Sequence, residues 1–482
     1  MRRAKIVATL GPATSTYESV RAIIDAGVDV ARMNLSHGDY TVHETNFANV
    51  RKAAEDAGRP VAILVDLQGP KIRLGKFADG PHELAVGDIF KITIDDIPGT
   101  KEIVSTTFKG LPQDVNPGDF LLIDDGKVKV EVVEKTDTVV TTKVIVAGPV
   151  SNNKGINLPG VAVNVPALSE KDEADLRWGL RIGADLIALS FVRDAKDVQR
   201  AHVIMAEEGR RVPIIAKIEK PQAVEHLEEI IDAFDGIMVA RGDLGVELPL
   251  EAVPIVQKRA VELSRRMAKP VIVATQMLES MINSPVPTRA ETSDVANAVL
   301  DGADAVMLSG ETSVGEYPVV VVETMARIVA STEEHGLDRI AKLTNKPRTQ
   351  GGAITLAAIE VAEFVDAKYL CIFTESGDSA RRMSRLRPNI PMIAFTPEPA
   401  IRRRMALTWG IQSALVEHVA HTDRMFIQVD DYLLSNDLAS VGDKVVVISG
   451  SPPGIVGSTN DIRVHKVGDA VHGAAPIYQI RE

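Results

Sequence analysis

The sequence predicts an α/β protein whose main domain is a (β/α)8 TIM barrel. Three observations support this prediction: eight short apolar runs, helix-like segments between most of them, and polar residues where the runs end. The runs are rich in β-branched residues and nearly continuous, which is typical of parallel strands buried on both faces. Eight strand–helix units of this kind favour a closed barrel. The runs are KIVATL, DVARMN, VAILVDL, DLIALSF, PIIAKIE, GIMVAR, PVIVATQ and AVMLSGE.

The interval between the third and fourth runs is too long for an ordinary barrel loop, since it holds about 100 residues. Its pattern changes to alternating strands and turns in DIFKITID, EIVSTTF and FLLIDDGKVKVEVV, where Asp125 and Gly126 indicate a hairpin. We therefore expect an inserted small β-barrel lid domain over residues 71–166. The barrel then occupies residues 1–70 and 167–340, resuming at a helix that Ser169 caps.

The pattern changes again near the end of the chain. A helical segment, AITLAAIEVAEFV, precedes the apolar runs AKYLCIF, IPMIAF, SALVE and KVVVIS. This order predicts a C-terminal open-sheet α/β domain over residues 347–482. The single cysteine, Cys371, lies in one of these runs and is expected to be a buried thiol.

Length, charge and termini exclude several classes of protein. With 482 residues the chain is too long for one core, and its net charge of −12 argues against a nucleic-acid partner. The first apolar run is too short for a signal peptide, and no run reaches transmembrane length. We expect a soluble cytoplasmic protein with no membrane partner.

The stretch of residues 213–245 reads as strand, helix and strand, and it carries the most informative polar residues. Lys217 and Glu219 are two apart on a strand and so lie on one face. The next strand ends at Gly242 and Asp243. Two carboxylates from neighbouring strands suit Mg²⁺, which uses one or two of them and leaves other positions to water or substrate. A simple ion pair between Lys217 and Glu219 at the barrel rim is the alternative.

Other barrel strands also end in polar side chains. Any one of these could be an ordinary strand-end hydrogen bond, but convergence from several strands is typical of a barrel active site. Cations around a Mg²⁺ site suit phosphoryl transfer. The chain has no GxxxxGK[ST] motif, so it is not predicted to be a P-loop enzyme. The residues are Arg32, Asn34, Ser36, His37, Asp66, Lys71, Arg73, Thr275, Gln276, Ser309, Gly310 and Glu311.

Seven long motifs in this order resemble those of the pyruvate kinase family. They are ARMNLSHG, DLQGPKIRLG, SNNKGINLPG, IIAKIEKP, MVARGDLGVELP, VIVATQML and MLSGETSVGEYP, and the likeness covers essentially the whole chain. The resemblance implies phosphoryl transfer from phosphoenolpyruvate to ADP, giving pyruvate and ATP, the last step of glycolysis. It also implies a homotetramer that a phosphorylated metabolite activates.

The resemblance also implies roles for individual residues. Arg32 and Lys217 would hold the transferring phosphoryl group, and Thr275 would lie where the enolate is protonated. Glu219 and Asp243 would hold Mg²⁺ or Mn²⁺. The substrate carboxylate end would be lined by Gly242, Asp243 and Thr275, and the nucleotide would be faced by Asn34, Ser36, His37, Arg73 and Lys154.

A monovalent-cation site is implied at Asn34, Ser36, Asp66 and the carbonyl of Leu67. Many family members have GPEIR where this chain has GPKIR, so that Lys71 replaces a glutamate. A lysine ammonium is a fixed point charge and can stand in for a bound cation. We therefore expect activity that does not require K⁺. A solvated lysine at the hinge of the lid is the alternative.

The segment TESGDSARR resembles the family's sugar-phosphate effector loop, together with the later SGSPPGIVGSTN. A Ser/Thr/Gly turn that opens a helix suits a phosphate, although an ordinary helix cap is the alternative. Glu375 and Asp378 disfavour a doubly phosphorylated ligand, so a monophosphorylated sugar or nucleotide is expected. The effector residues would be Thr374, Ser376, Gly377 and Ser379.

Two other functions fit parts of the pattern. A Mg²⁺-dependent aldolase or lyase acting on pyruvate enolate would also use a barrel with paired carboxylates, but it would not need Arg73, Lys154 or the lid. A catalytically inactive binding protein on the same fold is the second. The presence of Lys217, Glu219, Asp243 and Thr275 argues against it.

Overall fold

A closed barrel of eight parallel strands forms the main part of the molecule, as the sequence predicts. The structure is a computed structural model that describes residues 2–124, 126–161, 166–344 and 346–470. The first part of the barrel contains β1 (Lys5–Thr9), α1 (Tyr17–Ala26), β2 (Val30–Asn34), α2 (Tyr40–Asp56) and β3 (Ala62–Asp66).

An insertion with its own sheets follows β3. Six of its strands pair in the order β11-β7-β8-β9-β5-β6, and β10 pairs with β4. Isolated bridges join Arg73 to Gly155 and Leu74 to Thr106, so one short segment contacts both edges of the curled sheet. The elements are β4 (His82–Leu84), β5 (Ile89–Thr93), β6 (Ile103–Ser105), α3 (Leu111–Asp114), β7 (Phe120–Ile123), β8 (Val128–Lys135), β9 (Val139–Val146), β10 (Gly148–Val150) and β11 (Ile156–Asn157).

The predicted runs in this insertion are confirmed as strands, whereas β4, β9, β10 and β11 are not predicted from the sequence. Strands β7 and β8 form the expected antiparallel pair. Asp125 of the predicted turn lies outside the described residues. The limits of the lid at residues 71 and 166 remain a prediction.

The second part of the barrel resumes at α4. Ser169 caps this helix as predicted: its side chain accepts from the Asp172 amide, and the Asp172 carboxylate accepts from the Ser169 amide. The elements are α4 (Glu170–Ile182), β12 (Leu186–Leu189), α5 (Val198–Glu207), β13 (Ile214–Ile218), α6 (Pro221–Glu225), α7 (Leu227–Ala233), β14 (Gly236–Ala240), α8 (Arg241–Glu247), α9 (Val253–Arg266), β15 (Val271–Ala274), α10 (Arg289–Asp301), β16 (Ala305–Leu308), α11 (Gly310–Ser313) and α12 (Pro318–Gly336).

The C-terminal sheet is open, with strand order β19-β18-β17-β20-β21. The first four strands are the predicted ones and are parallel, while β21 is an unpredicted antiparallel edge strand. Cys371 in β17 is fully buried, as expected. The elements are α13 (Gln350–Phe364), β17 (Tyr369–Phe373), α14 (Asp378–Ser384), β18 (Met392–Thr396), α15 (Pro399–Arg404), β19 (Ile411–Leu415), α16 (Thr422–Ser435), β20 (Lys444–Gly450) and β21 (Thr459–Lys466).

The C-terminal sheet domain packs against the end of the barrel where the strands begin. Lys5, the first residue of β1, donates from Nζ to the carbonyl of Ile411 at 2.9 Å. Ala406 and Leu407 belong to the same buried cluster as Val7, Leu64 and other residues of the barrel strands. The opposite end, where the strands finish, is therefore left for the polar side chains. Within the described residues, no helix has both the length and the apolar character needed to cross a bilayer.

Candidate active site

Lys217 lies at the centre of the polar cluster at the carboxyl ends of the barrel strands. Its Nζ lies 2.8 Å from Oε1 of Glu219 and 3.5 Å from Oδ1 of Asp66. It also donates to Oγ of Ser190 at 2.8 Å. Burial lowers the pKa of Lys217, but the carboxylates of Asp66 and Glu219 outweigh it and raise that pKa above its ordinary value. The side chain is therefore a largely enclosed ammonium group whose charged form the two carboxylates stabilise.

Glu219 follows β13, directly beyond the strand that carries Lys217. Its Oε2 accepts a 2.8 Å hydrogen bond from the amide of Phe191, a residue with a positive φ of 55°. Burial raises the pKa of Glu219, and the negative charge of Asp243 adds to this, while Lys217 opposes it. Glu219 and Asp243 are therefore close enough to repel each other electrostatically.

Asp243 lies in the first turn of α8, and no described residue reaches its carboxylate with a hydrogen bond or an ion pair. Two mutually repelling carboxylates, one of them unpaired, form a donor set that fits a divalent cation completed by water and substrate oxygens. The described residues contain no group of three or more His, Cys, Asp or Glu side chains that could hold a metal.

Arg32 ends up beside Lys217 because both contact Asp66. Its Nε and Nη2 both lie 2.7 Å from Oδ2 of Asp66, and its Nη1 donates to Oγ1 of Thr9 at 2.9 Å. Asp66 is 1% exposed, and its Oδ1 has no hydrogen bond from any described residue. One buried carboxylate thus positions two cations from different strands.

Thr275 adopts a backbone conformation that β-branched residues rarely take, with φ of 68°. Its Oγ1 accepts from the Gly242 amide at 2.7 Å and donates to the carbonyl of Ala274 at 2.7 Å. Arg241 donates from Nη2 to the carbonyl of Thr275 at 2.8 Å. These contacts tie Thr275 to the start of α8, so Gly242, Asp243 and Thr275 form one corner of the site.

The predicted nucleotide-binding residues fall into two groups. The first group, Asn34, Ser36 and His37, lies at the end of β2 and just after it, where Oδ1 of Asn34 accepts from the Ser36 amide at 3.2 Å. Arg73 and Lys154 lie in the insertion, where the carbonyl of Lys154 accepts from the amide of Leu74 at 2.8 Å. Lys154 also makes a 3.0 Å ion pair with Asp124. The structure brings the members of each group together but records no contact between the two groups.

Comparison with known proteins identifies this arrangement. The family model described as the pyruvate kinase barrel domain matches residues 1–322, and that of the pyruvate kinase α/β domain matches residues 352–465. The pyruvate kinase of Corynebacterium glutamicum is 56% identical over 468 residues, which cover 97% of this chain and 98% of that one. The chain belongs to the pyruvate kinase family.

Other relatives agree with this membership. The pyruvate kinase of Mycobacterium tuberculosis is 55% identical over 470 residues, covering 97% of this chain and 99% of that protein. A crystal structure of a pyruvate kinase from Cryptosporidium parvum matches with a TM-score of 0.90 at 36% identity, over 97% of this chain and 96% of that one. The protein is therefore a phosphotransferase of this family. The lyase and the inactive binding protein are set aside.

The monovalent-cation residues of the family pattern already have partners in this enzyme. The carbonyl of Leu67 accepts from Oγ of Ser190 at 2.8 Å, and Asp66 contacts Arg32 and Lys217. Lys71 packs at Gly155, where an added Cβ would lie 2.8 Å from its Cε. No described residue pairs with the Lys71 ammonium group.

The predicted effector residues lie together in the C-terminal domain of this pyruvate kinase family member. The Gly377 amide donates to Oγ1 of Thr374 at 2.9 Å, and Gly377 has the positive φ of 80° that favours glycine. Oγ of Ser379 lies 2.6 Å from Oγ1 of Thr459, which belongs to the second predicted loop. Ser376 lines the same cleft. Both effector segments of the sequence prediction thus meet at one place.

Sequence reasoning missed three residues that organise the cluster. These residues lie at the ends of the first and fourth apolar runs. Thr9 accepts a hydrogen bond from Arg32, and Ser190 accepts one from Lys217. The Phe191 amide donates to Glu219. The signal was present, because Thr9 and Ser190 are also polar residues at strand ends. Phe191 acts through its backbone amide, which an apolar residue type does not reveal.

Proposed function

We propose that the protein catalyses Mg²⁺-dependent phosphoryl transfer from phosphoenolpyruvate to ADP, giving pyruvate and ATP. The observation that supports this most is the buried ammonium of Lys217 between Asp66 and Glu219, beside Arg32. Phosphoryl transfer is catalysed mainly by positioning and by fixed charge, and this cluster offers both.

In this proposal Arg32 binds the phosphate of phosphoenolpyruvate, and Lys217 stabilises the charge of the transferring group and of the enolate left behind. The raised pKa of Lys217 favours its charged form at neutral pH. Glu219 and Asp243 hold Mg²⁺, or Mn²⁺ in its place, which supplies further neutralisation of the substrate oxygens when bound. Gly242, Asp243 and Thr275 line the carboxylate end, with Thr275 on the face where the enolate takes up a proton.

The nucleotide is proposed to lie between the two groups of residues described above. Asn34, Ser36 and His37 follow a barrel strand, while Arg73 and Lys154 belong to the insertion, so closure of the insertion as a lid would complete the site. Lid closure of this kind excludes water and finishes the catalytic arrangement.

We also propose that K⁺ is not required. Asp66 is already balanced by Arg32 and Lys217, and the Lys71 ammonium has no partner among the described residues. A second charge therefore stands in place of the glutamate found in many relatives. Asn34, Ser36, Asp66 and the carbonyl of Leu67 remain a weak site for K⁺ in this proposal.

The C-terminal cleft is proposed to bind a monophosphorylated sugar or nucleotide that activates the enzyme. Thr374, Ser376, Gly377 and Ser379 would provide the phosphate contacts. The adjoining Asp378 is paired with Arg382, so the acidic charge at this turn is partly neutralised. A cytoplasmic homotetramer is the proposed form of the enzyme.

The test is a coupled assay of pyruvate formation with phosphoenolpyruvate, ADP and Mg²⁺, run with and without K⁺. Turnover in both conditions supports the reaction and the role of Lys71. Turnover only with K⁺ keeps the reaction and refutes K⁺ independence. If no pyruvate forms in either condition, the assay is repeated with monophosphorylated sugars and nucleotides added. Absence of pyruvate formation there overturns the proposed reaction.

A further inference from the structure

A buried carboxylate outside the proposed catalytic set connects three parts of the molecule. Glu247 is the last residue of α8, and its side chain is 2% exposed. Its Oε1 accepts from Nδ2 of Asn157 at 2.9 Å, a bond that is buried. The same Oε1 lies 2.6 Å from Nζ of Lys220. One oxygen atom therefore joins α8, the insertion and the loop after β13.

Each of the three residues in this network lies close in sequence to a proposed site residue. Asn157 is in β11, three residues after Lys154. Lys220 directly follows Glu219, and Glu247 is about one helical turn after Asp243, since it is the fourth residue after it. The network thus connects the backbone segments that carry the nucleotide side and the metal side of the site.

Lys220 extends this network toward Glu219 by a second route. Its Nζ lies 5.3 Å from the centre of the Phe191 ring, within the range of a cation–π interaction. The Phe191 amide in turn donates to Glu219 at 2.8 Å. Lys220 therefore contacts both Glu247 and the residue that orients the Glu219 carboxylate.

We propose that Glu247 is a positioning residue that couples the position of the lid to the geometry of the Glu219–Asp243 cation site. Its two bonds are mutually dependent, because a buried carboxylate that loses one partner keeps its desolvation cost with less compensation. The bond to Asn157 orients the base of the lid, and the ion pair with Lys220 fixes the loop after β13. The inference rests on the proposed function of the site and adds a residue to it.

Three variants separate the effects of the two bonds that Glu247 makes, one with Asn157 and one with Lys220. Asn157→Ala removes only the lid bond, Lys220→Met removes only the ion pair, and Glu247→Gln weakens both while keeping the side-chain shape. Glu262→Gln is the matched control, because Glu262 pairs with Arg266 on the exposed face of α9. Circular dichroism and thermal unfolding identify any variant that fails to fold, and the remaining variants still test the proposal.

The readouts are the KM for ADP, Mn²⁺ affinity measured by electron paramagnetic resonance, and hydrogen exchange of residues 150–158. Loss of one hydrogen bond to a charged group corresponds to a change of about tenfold or more. We expect Asn157→Ala to raise the KM for ADP by this factor and to speed exchange of the lid segment, with a smaller loss of Mn²⁺ affinity because both bonds share one oxygen of Glu247. Lys220→Met should weaken Mn²⁺ binding, and Glu247→Gln should do both.

The proposal is overturned if folded Glu247→Gln enzyme keeps both the KM for ADP and the Mn²⁺ affinity within twofold of the parent. A uniform fall in kcat together with a lower Tm, without these two changes, indicates a purely structural role and also overturns it. Parent enzyme that lacks turnover refutes the proposed reaction instead. Mn²⁺ binding and hydrogen exchange then still decide whether Glu247 couples the lid to the cation site.

Discussion

At the scale of single residues, the site depends on a few buried charges that neutralise one another. Asp66 contacts both Arg32 and Lys217, and Glu219 is a second carboxylate partner of Lys217. Removing such charges from water costs free energy unless they are paired. Each cation therefore fixes the position of a carboxylate, and each carboxylate fixes the position of a cation. The result is a preorganised field that needs little rearrangement during the reaction.

Replacing Lys217 by methionine should lower kcat by about 10²–10³-fold or more, because it removes a preorganised charge at the reacting group. Lys258→Met is the control, since Lys258 makes an exposed ion pair with Asp301 on the barrel surface. The measurement is steady-state pyruvate formation on variants whose circular dichroism matches the parent. A Lys217→Met enzyme with parental kcat would remove Lys217 from the mechanism.

Replacing Lys71 by glutamate should convert the enzyme to one that K⁺ stimulates. The change removes the fixed ammonium charge and puts a carboxylate in its place. We expect at least about tenfold stimulation of the variant by K⁺, equivalent to about 1.4 kcal/mol, and little stimulation of the parent. Assays in tetramethylammonium salts with and without KCl measure this, with Lys76→Glu as a nearby exposed control. Equal K⁺ responses in parent and Lys71→Glu would contradict the role of Lys71.

At the scale of elements, strand ends and the helices that follow them hold the site residues. The Thr275–Gly242 hydrogen bond joins the end of β15 to the start of α8. The Phe191–Glu219 hydrogen bond joins the loops after β12 and β13. Because each bond crosses between neighbouring strands, the barrel register decides which side chains meet.

Asp29 makes the corresponding connection at the other end of the first two strands. Its Oδ2 accepts from the Ile6 amide at 2.9 Å and from Nη2 of Arg2 at 2.7 Å. Burial raises the pKa of Asp29, but Arg2, Lys5 and the Ile6 amide outweigh it, and the net pKa is lowered. The carboxylate therefore stabilises the fold above its unfolded pKa, near 3.8. That stabilisation is lost as the pH falls through the folded pKa.

Asp29→Asn should accordingly lower the free energy of unfolding by about 3 kcal/mol at neutral pH, the scale for breaking a buried pair. The difference between parent and variant should shrink as the pH falls below about 4. Urea unfolding followed by circular dichroism from pH 7 to pH 3.5 measures both quantities. Asp25→Asn is the control, because Asp25 pairs with Arg21 on the surface. A difference that is constant over this range would exclude the charge of Asp29 as its cause.

At the scale of the whole molecule, the barrel has two functionally distinct ends. The C-terminal domain covers the end where strands begin, through contacts such as Lys5 with Ile411 and Arg387 with Asp304. The proposed catalytic residues and the insertion lie at the other end. Activation by an effector bound in the predicted cleft must therefore be transmitted across the barrel. A change in substrate affinity caused by the effector is the measurement that would establish this coupling.

The assembly state is a further prediction at this scale. Leu250 and Ile255, before and within α9, are 74% and 67% exposed, and their closeness in the sequence makes them candidates for a contact between subunits. We expect light scattering after size-exclusion chromatography to give four times the chain mass of 51.9 kDa. Ile255→Glu should shift the enzyme to a smaller species if α9 is part of an interface, with Val286→Glu as an exposed control. A monomeric parent would refute the tetramer.

The sequence alone determined the barrel, the insertion, the open C-terminal sheet and the family. Parallel strands that are buried on both faces require nearly continuous runs of apolar, often β-branched residues, and these short runs are visible without a structure. The polar residues at their ends pointed to Arg32, Lys217 and Glu219 because strand ends of a barrel converge. The edge strand β21 and the strands β4, β9, β10 and β11 were missed, since short or half-exposed strands leave a weak apolar pattern.

Only the tertiary structure decided how the polar residues are paired. Three sets of contacts between distant segments show this. Asp66 pairs with both Arg32 and Lys217, and the Phe191 amide donates to Glu219. Glu247 joins Asn157 to Lys220. Residue type does not encode which partner a carboxylate finds, and a backbone amide has no signature in the sequence. These pairings follow from strand register and helix placement, which exist only once the chain is folded.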